Sequence, residues 1–192
     1  MLLYDEVEVL DAFGPFEVFT TASRVCARRG EPEPFRVVTV SVQDEHLVRA
    51  RAGLHVTADH VLADAPPLDV VLLPGGVHTA VEQDDRLRAW LQERAPAADV
   101  LACVCTGAFP AARAGLLEGA EVTTHWEDLD DLRRAYPSLT VVGDVRYVDA
   151  GAVATSAGIS AGLDLALHLV ARFAGEELAH ATARQMDYAW GG

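Results

Sequence analysis

The chain is poor in the features that mark several protein classes. It has only 3 cysteines, an odd number too small for a disulfide framework, so a secreted disulfide-stapled domain is not expected. No stretch reaches the roughly 18 charge-free apolar residues of a membrane helix. The opening MLLYDEVEVLD has early acids and no basic lead, so it does not read as a signal peptide. Basic charge is scarce: 15 Lys and Arg face 29 Asp and Glu, a formal net charge of −14. Such a surface repels phosphate backbones and anionic lipid, so neither nucleic acid nor membrane is an expected partner of this chain by itself. The 7 histidines show no His-x-x-x-His or other ligand spacing, and no metal is expected. Linkers, internal repeats and low-complexity segments are missing too. The reading is one domain over 1–192, reduced and cytoplasmic.

What is present is a sizeable apolar fraction, 51% hydrophobic, and alternating strand and helix patterns. LLY at 2–4 reads as the tail of a buried strand, either short or with a start placed a few residues late. DAFGPFEVFTTASRVCARRG reads as a helix ending at Gly30. FRVVTVSV (35–42), LDVVLL (68–73) and DVLACV (99–104) read as strands, the latter two with unbroken apolar runs after Asp69 and Asp99, as strands covered on both faces tend to have. A helix is expected over 78–97 and another from Thr106 to Gly115 or Gly119. EVTTHW (121–126) reads as a strand and 127–136 as a helix. Short strands follow at 139–142, 145–149 and 151–156, then helices over 157–175 and 176–190. This alternation predicts an α/β fold, a three-layer sandwich with a mostly parallel central sheet flanked by helices.

Ligands of such sheets collect beyond the carboxyl ends of the strands, where LPGG (73–76) and CVCTG (103–107) both fall. Cys105 stands on the strand-to-helix turn, followed at once by Thr106 and Gly107. That resembles a nucleophile elbow, in which a tight turn presents one side chain over the sheet. Free N–H groups at the start of the following helix are expected to favour thiolate and lower the Cys105 pKa. With donors from Gly75 and Gly76 they could hold an oxyanion. Cys103, within the strand, and Cys26, on the apolar stripe of its helix, read as packing residues. Thr155, Ser156 and Gly158 read as caps of the long helix after them, and Asp164 as a paired structural acid.

VEVLDAFGPFEVF (7–19), LDVVLLPGG (68–76), VCTGAFPAARAGLLEG (104–119), EVTTHW (121–126) and TSAGISAGLDLALHLV (155–170) together resemble the ThiJ/PfpI superfamily of class I glutamine amidotransferase-like proteins. Within it the chain is most similar to isonitrile hydratases and to the amidase-like sensor domains of AraC-type regulators. The resemblance implies a flavodoxin-like sandwich, commonly a homodimer, with Cys105 as nucleophile, Asp11 as the acid approaching its sulfur and His125 near the pocket. Where family proteases often carry histidine after the cysteine, this chain has Thr106, as the hydratases do. Asp11 and Glu17 are six residues apart, about 240° around a helix, and cannot both point at one sulfur. Asp11 is the better placed, either as this acid, as a helix N-cap, or as both. Glu17 reads as loop- or interface-facing.

The expected function is a cysteine-dependent hydratase taking a small electrophile, an isonitrile, to an N-formamide without a cofactor. The alternatives are a ligand- or redox-sensing domain and a glyoxalase- or deglycase-like enzyme acting on 2-oxoaldehydes. No basic DNA-binding segment follows the last helix, so a complete regulator is not expected of these residues.

Overall fold

The fully buried run Val100–Val104 forms a strand with parallel neighbours on both sides, which places Cys105 at the middle of the sheet. A computed structural model describes residues 1–191. The first half of the chain supplies β1 (Leu2–Leu3), α1 (Val9–Arg29), β2 (Val40–Ser41), β3 (Leu47–Arg49), β4 (His55–Thr57), β5 (His60–Val61) and β6 (Val70–Leu73). Next come α2 (Thr79–Glu82), α3 (Asp85–Arg94), β7 (Val100–Val104) and α4 (Ala108–Arg113). The last third holds β8 (Glu121–Val122), α5 (Leu129–Ala135), β9 (Thr140–Val141), β10 (Tyr147–Asp149), β11 (Val153–Ser156), α6 (Ala161–Ala174) and α7 (Glu176–Gln185).

One ladder runs β10-β11-β7-β6, parallel except for β10. A second, β1-β2-β5, is parallel throughout, and β1 lies against β6 so that the two ladders adjoin. β3 and β4 form an antiparallel hairpin, and β8 and β9 a short parallel pair. Helices α1, α6 and α7 pack on one another, while α2 and α3 both pack on α4. The result is the expected flavodoxin-like sandwich, a mostly parallel sheet flanked by helices. None of the described helices is long and apolar enough to cross a membrane.

Several elements differ from their sequence patterns for local reasons. Of the run 35–42 only Val40–Ser41 joins a ladder. Upstream, side chains take over the backbone bonds: Phe35 N–H donates to Ser23 Oγ at 3.1 Å and Thr39 N–H to Asp59 Oδ2 at 2.9 Å. The helix expected over 78–97 breaks at Gln83 and Asp84, because the Asp84 carboxylate accepts from the Arg86 and Leu87 N–H groups and starts a new helix. The expected strand 121–126 stops at Val122, since Thr123 N–H turns to Thr155 Oγ1 at 2.8 Å. The long helix begins at Ala161 rather than 157; Ile159 has φ +50°, which no helix accommodates. Residues 157–160 become a turn over the carboxyl end of the sheet instead.

Candidate active site

Cys105 leaves β7 with φ +57°, a left-handed conformation unusual for a residue with a side chain. Such a backbone costs on the order of 1–3 kcal/mol and persists only where its surroundings hold it. Here Gly107 does so from the following turn: a Cβ on it would lie 2.1 Å from the Leu73 carbonyl oxygen, so the turn sits directly on β6. Thr124 Oγ1 donates to the Cys105 carbonyl at 2.8 Å and fixes the other side. The residue is 6% exposed.

Asp11 lies in the first turn of α1 and is fully buried. It does not cap the helix, whose N-cap is Glu8. Its Oδ2 accepts from the Gly75 N–H at 3.2 Å, while Oδ1 is buried without a hydrogen-bond partner among the described residues. Burial pushes the Asp11 carboxyl up to about 7; its contact with the Cys105 thiol pulls it back, and the charge of Glu8 adds to the rise. Burial also pushes the Cys105 thiol up, and the Asp11 charge pushes it further. The N–H groups of Thr106 and Ile159 face the sulfur and oppose this. The expected lowering by a helix N-terminus is therefore outweighed. Cys105–Gly107 is a 3-10 turn, the helix after it spans only 6 residues, and loss of water around the sulfur dominates. Because each group shifts the other, the thiol lowering Asp11 and the carboxylate raising Cys105, the two titrate as a pair.

The Gly75-Gly76 strip is closed onto this pair. A Cβ on Gly75 would meet Thr106 N at 2.6 Å, Asp11 Oδ2 at 2.7 Å and Cys105 Cβ at 2.8 Å. The Gly76 N–H donates to Thr106 Oγ1 at 2.9 Å, and that hydroxyl donates back to Gly76 O at 3.0 Å. Both glycine N–H groups are thus engaged by protein atoms. Tyr4 lies beneath, its hydroxyl donating to Pro74 O at 3.0 Å and its pKa raised by burial and by the Asp11 and Cys105 charges.

His125 reaches the site's edge rather than its centre. Its Nδ1 accepts from the Glu127 N–H at 3.3 Å and lies 3.4 Å from an Asp128 carboxylate oxygen. Its ring covers Gly158, where a Cβ would come 1.9 Å from the ring carbon Cδ2. The pattern before α6 therefore does not cap it: Gly158 makes room for His125, Thr155 accepts from Thr123, and Ser156 Oγ is buried without a partner among the described residues. Glu17 stands apart, on the surface in an ion pair with Arg24 at 2.6 Å. Cys103 is fully buried in β7 with its thiol pushed up to about 12 by that burial, and Cys26 is buried on α1. Asp164 is paired with Arg146. No group of three or more His, Cys, Asp or Glu that could hold a metal ion occurs among the described residues.

The Ile159 donor is the feature that sequence reading missed. A backbone N–H carries no residue-type signal; the only cue was the small-residue turn SAGIS before a long apolar helix. Together, the thiol, a buried carboxyl that retains its proton near neutral pH and two facing N–H groups can perform nucleophilic addition with proton transfer.

The chain is similar to known proteins over nearly its whole length. The model of the DJ-1/PfpI family matches residues 1–172. The transcriptional regulator GbdR of Pseudomonas aeruginosa is 32% identical over 187 residues, which is 97% of this chain and 49% of the regulator, so the chain spans about half of that relative. The isonitrile hydratase of Pseudomonas putida is 31% identical over 190 residues, 98% of this chain and 77% of the enzyme. Among solved structures, a ThiJ/PfpI family protein from Pseudomonas syringae superposes with a TM-score of 0.85 at 26% identity, over 100% of this chain and 75% of that one.

Proposed function

The chain belongs to the DJ-1/PfpI family, and from that premise we propose that it is an isonitrile hydratase-like enzyme whose nucleophile is Cys105. The observation that carries this reading is the Asp11 carboxyl, fully buried against the thiol with its pKa raised to about 7. A carboxyl poised near neutral pH can take the proton of the Cys105 thiol as the sulfur attacks and pass it on to the reacting carbon. The 31% identity to the Pseudomonas putida isonitrile hydratase supports the substrate class.

In the proposed cycle Asp11 takes the proton of the Cys105 thiol, the sulfur attacks the terminal carbon of R–N≡C and a C–S bond forms. The Asp11 proton passes to that carbon, leaving Asp11 ionised and a thioimidate, R–N=CH–S, on the enzyme. Water then adds across the C=N bond, its hydroxyl to carbon and its proton to nitrogen. The C–S bond breaks, the hydroxyl proton goes to Asp11, and R–NH–CHO leaves with the thiolate restored. Thr106 and Ile159 N–H groups stabilise negative charge on sulfur at both ends of the cycle. Thr106 Oγ1 and Gly76 hold each other, and with Gly75 and Gly107 they act by fixing the turn. His125 shapes the pocket edge through Gly158. The same reading takes the protein as a cytoplasmic homodimer that needs no cofactor and binds no nucleic acid by this chain alone.

The test is formamide production from a small aryl isonitrile by the wild type and by Cys105→Ala. Turnover lost in a folded mutant supports the reading; undiminished turnover in the mutant removes it. The similarity to GbdR supports a second reading, a ligand-sensing domain with the same pocket. That reading predicts saturable binding of an electrophile without product.

A further inference from the structure

One peptide group separates the Tyr4 hydroxyl from the Asp11 carboxyl. The hydroxyl donates to Pro74 O at 3.0 Å, and the Gly75 N–H donates to Asp11 Oδ2 at 3.2 Å. Pro74 O and the Gly75 N–H are the two ends of the same trans amide, so they point to opposite sides within its plane. Both bonds are buried. The other bonds of the strip belong to other peptides. Gly75 O accepts from the Glu8 N–H at 2.9 Å and the Gly76 N–H donates to Thr106 Oγ1 at 2.9 Å, which together hold the Gly75–Gly76 peptide. Gly76 O accepts from Thr106 Oγ1 and the Val77 N–H donates to Glu6 O at 3.1 Å, which hold the peptide after it. The Pro74–Gly75 peptide is left, among the described residues, with Tyr4 at its carbonyl end and Asp11 at its N–H end. It also sits against the reacting pair: a Cβ on Gly75 would lie 2.7 Å from Asp11 Oδ2 and 2.8 Å from Cys105 Cβ. Asp11 Oδ1 has no partner among the described residues, so the carboxyl depends on this amide for its bond at Oδ2.

We propose that Tyr4 is a positioning residue for Asp11: its hydroxyl holds the Pro74–Gly75 peptide from the carbonyl side and so keeps the N–H on the other side aimed at, and polarised toward, the Asp11 carboxylate. The inference rests on Asp11 being the acid that serves Cys105, but not on which electrophile the sulfur attacks. An amide that accepts a hydrogen bond at its oxygen is a stronger donor at its nitrogen. Without the hydroxyl that polarisation is lost, Pro74 O is buried without a partner, and nothing fixes the carbonyl end of this one peptide against rotation. Its N–H then serves Oδ2 less well, and the ionised carboxylate loses more by this than the neutral acid does. The groups that face Asp11 are the Cys105 thiol from the turn after β7, Glu8 from the start of α1 with Arg51 at 3.6 Å, Tyr4 after β1, and the N–H groups of Gly75 and Ile159. Burial keeps the Tyr4 phenol neutral, so removing its hydroxyl changes no charge among them.

The test is a carbon-13 NMR titration of the Asp11 carboxyl in the wild type and in Tyr4→Phe, with the signal assigned by its loss in Asp11→Asn. The wild-type midpoint is expected at about 7. Tyr4→Phe should raise it by about half a pH unit, about a threefold loss of ionised Asp11 at a fixed pH below the midpoint. A merely structural role for the phenol gives the opposite sign, because a loosened site admits water and relief of burial brings the carboxyl down toward its ordinary range. An unchanged or lower midpoint in folded Tyr4→Phe therefore overturns the proposal. If Tyr4→Phe fails to fold, the wild type decides by itself: the Pro74 carbonyl carbon and the Gly75 amide nitrogen should shift with the Asp11 midpoint, and a Pro74 carbonyl that stays still through that titration overturns the proposal. No isonitrile is present in either measurement. Failure of the hydratase reading, seen as absent formamide with the Tyr4→Phe shift intact, is thus distinct from failure of this one.

Discussion

Thr106 Oγ1 and the Gly76 peptide hold each other twice, accepting from the N–H at 2.9 Å and donating to the carbonyl at 3.0 Å. One hydroxyl thus ties the turn after β7 to the strip after β6, and Asp11 ties α1 to the same strip through the Gly75 N–H. Thr106→Val removes the hydroxyl in place and leaves both Gly76 groups without their partner, a cost of roughly 1–3 kcal/mol. Chemical denaturation should show that loss for Thr106→Val and little of it for Thr106→Ser. Equal stability of the valine variant would mean water substitutes for the hydroxyl.

The buried carboxyl makes stability depend on pH. An Asp11 carboxyl titrates near 3.8 in the unfolded chain and about 7 in the folded one. Between those values the folded protein holds a proton the unfolded chain has released, so stability falls as pH rises through that window and levels off above it. The full drop attributable to Asp11 is roughly 4 kcal/mol at 1.36 kcal/mol per pKa unit. Asp11→Asn, neutral throughout, removes the slope: urea denaturation should find it gaining on the wild type from pH 4.5 to pH 8. Parallel profiles would show that Asp11 is ionised at little cost.

Two glycines separate lack of room from backbone conformation. Gly107 has an ordinary φ of −58°, but its Cβ would lie 2.1 Å from Leu73 O. Gly115 has φ +75° with nothing within 4 Å of a Cβ. Gly107→Ala must push α4 off β6 and should cost at least about 3 kcal/mol, or prevent folding. Gly115→Ala bears only the left-handed penalty, about 1 kcal/mol. A melting series that ranks them the other way would contradict the close seating of the turn.

Cys105→Ala keeps the left-handed backbone and removes one sulfur from a site where burial disfavours its charge. Thermal unfolding should therefore shift by only a few degrees while all covalent reactivity at this position disappears.

The layered fold was legible because the apolar runs of β6 and β7 and the long pattern of α6 are periodic and bounded by glycine. The position of Cys105 was legible as well, since a strand followed by Thr-Gly has few other geometries. The pairing of Asp11 with it came from resemblance; helical spacing by itself only separated Asp11 from Glu17, which the structure places on the surface. The direction of the thiol's shift was not legible. A helix start is visible in sequence, whereas the depth at which a sulfur is buried depends on the packing of β6, α1 and the 157–160 turn around it. The contribution of the Ile159 N–H was hidden for the same reason: it lies far along the chain from Cys105 and acts through a backbone atom that every residue shares.

The most direct test of the central claim is a rapidly quenched reaction with an aryl isonitrile, followed by mass spectrometry of the Cys105 peptide. The account predicts a transient adduct on that peptide equal in mass to the intact isonitrile, formed and consumed at rates that support turnover, and none on the peptide holding Cys26. Formamide released at full rate with no adduct on Cys105 at any time would contradict it.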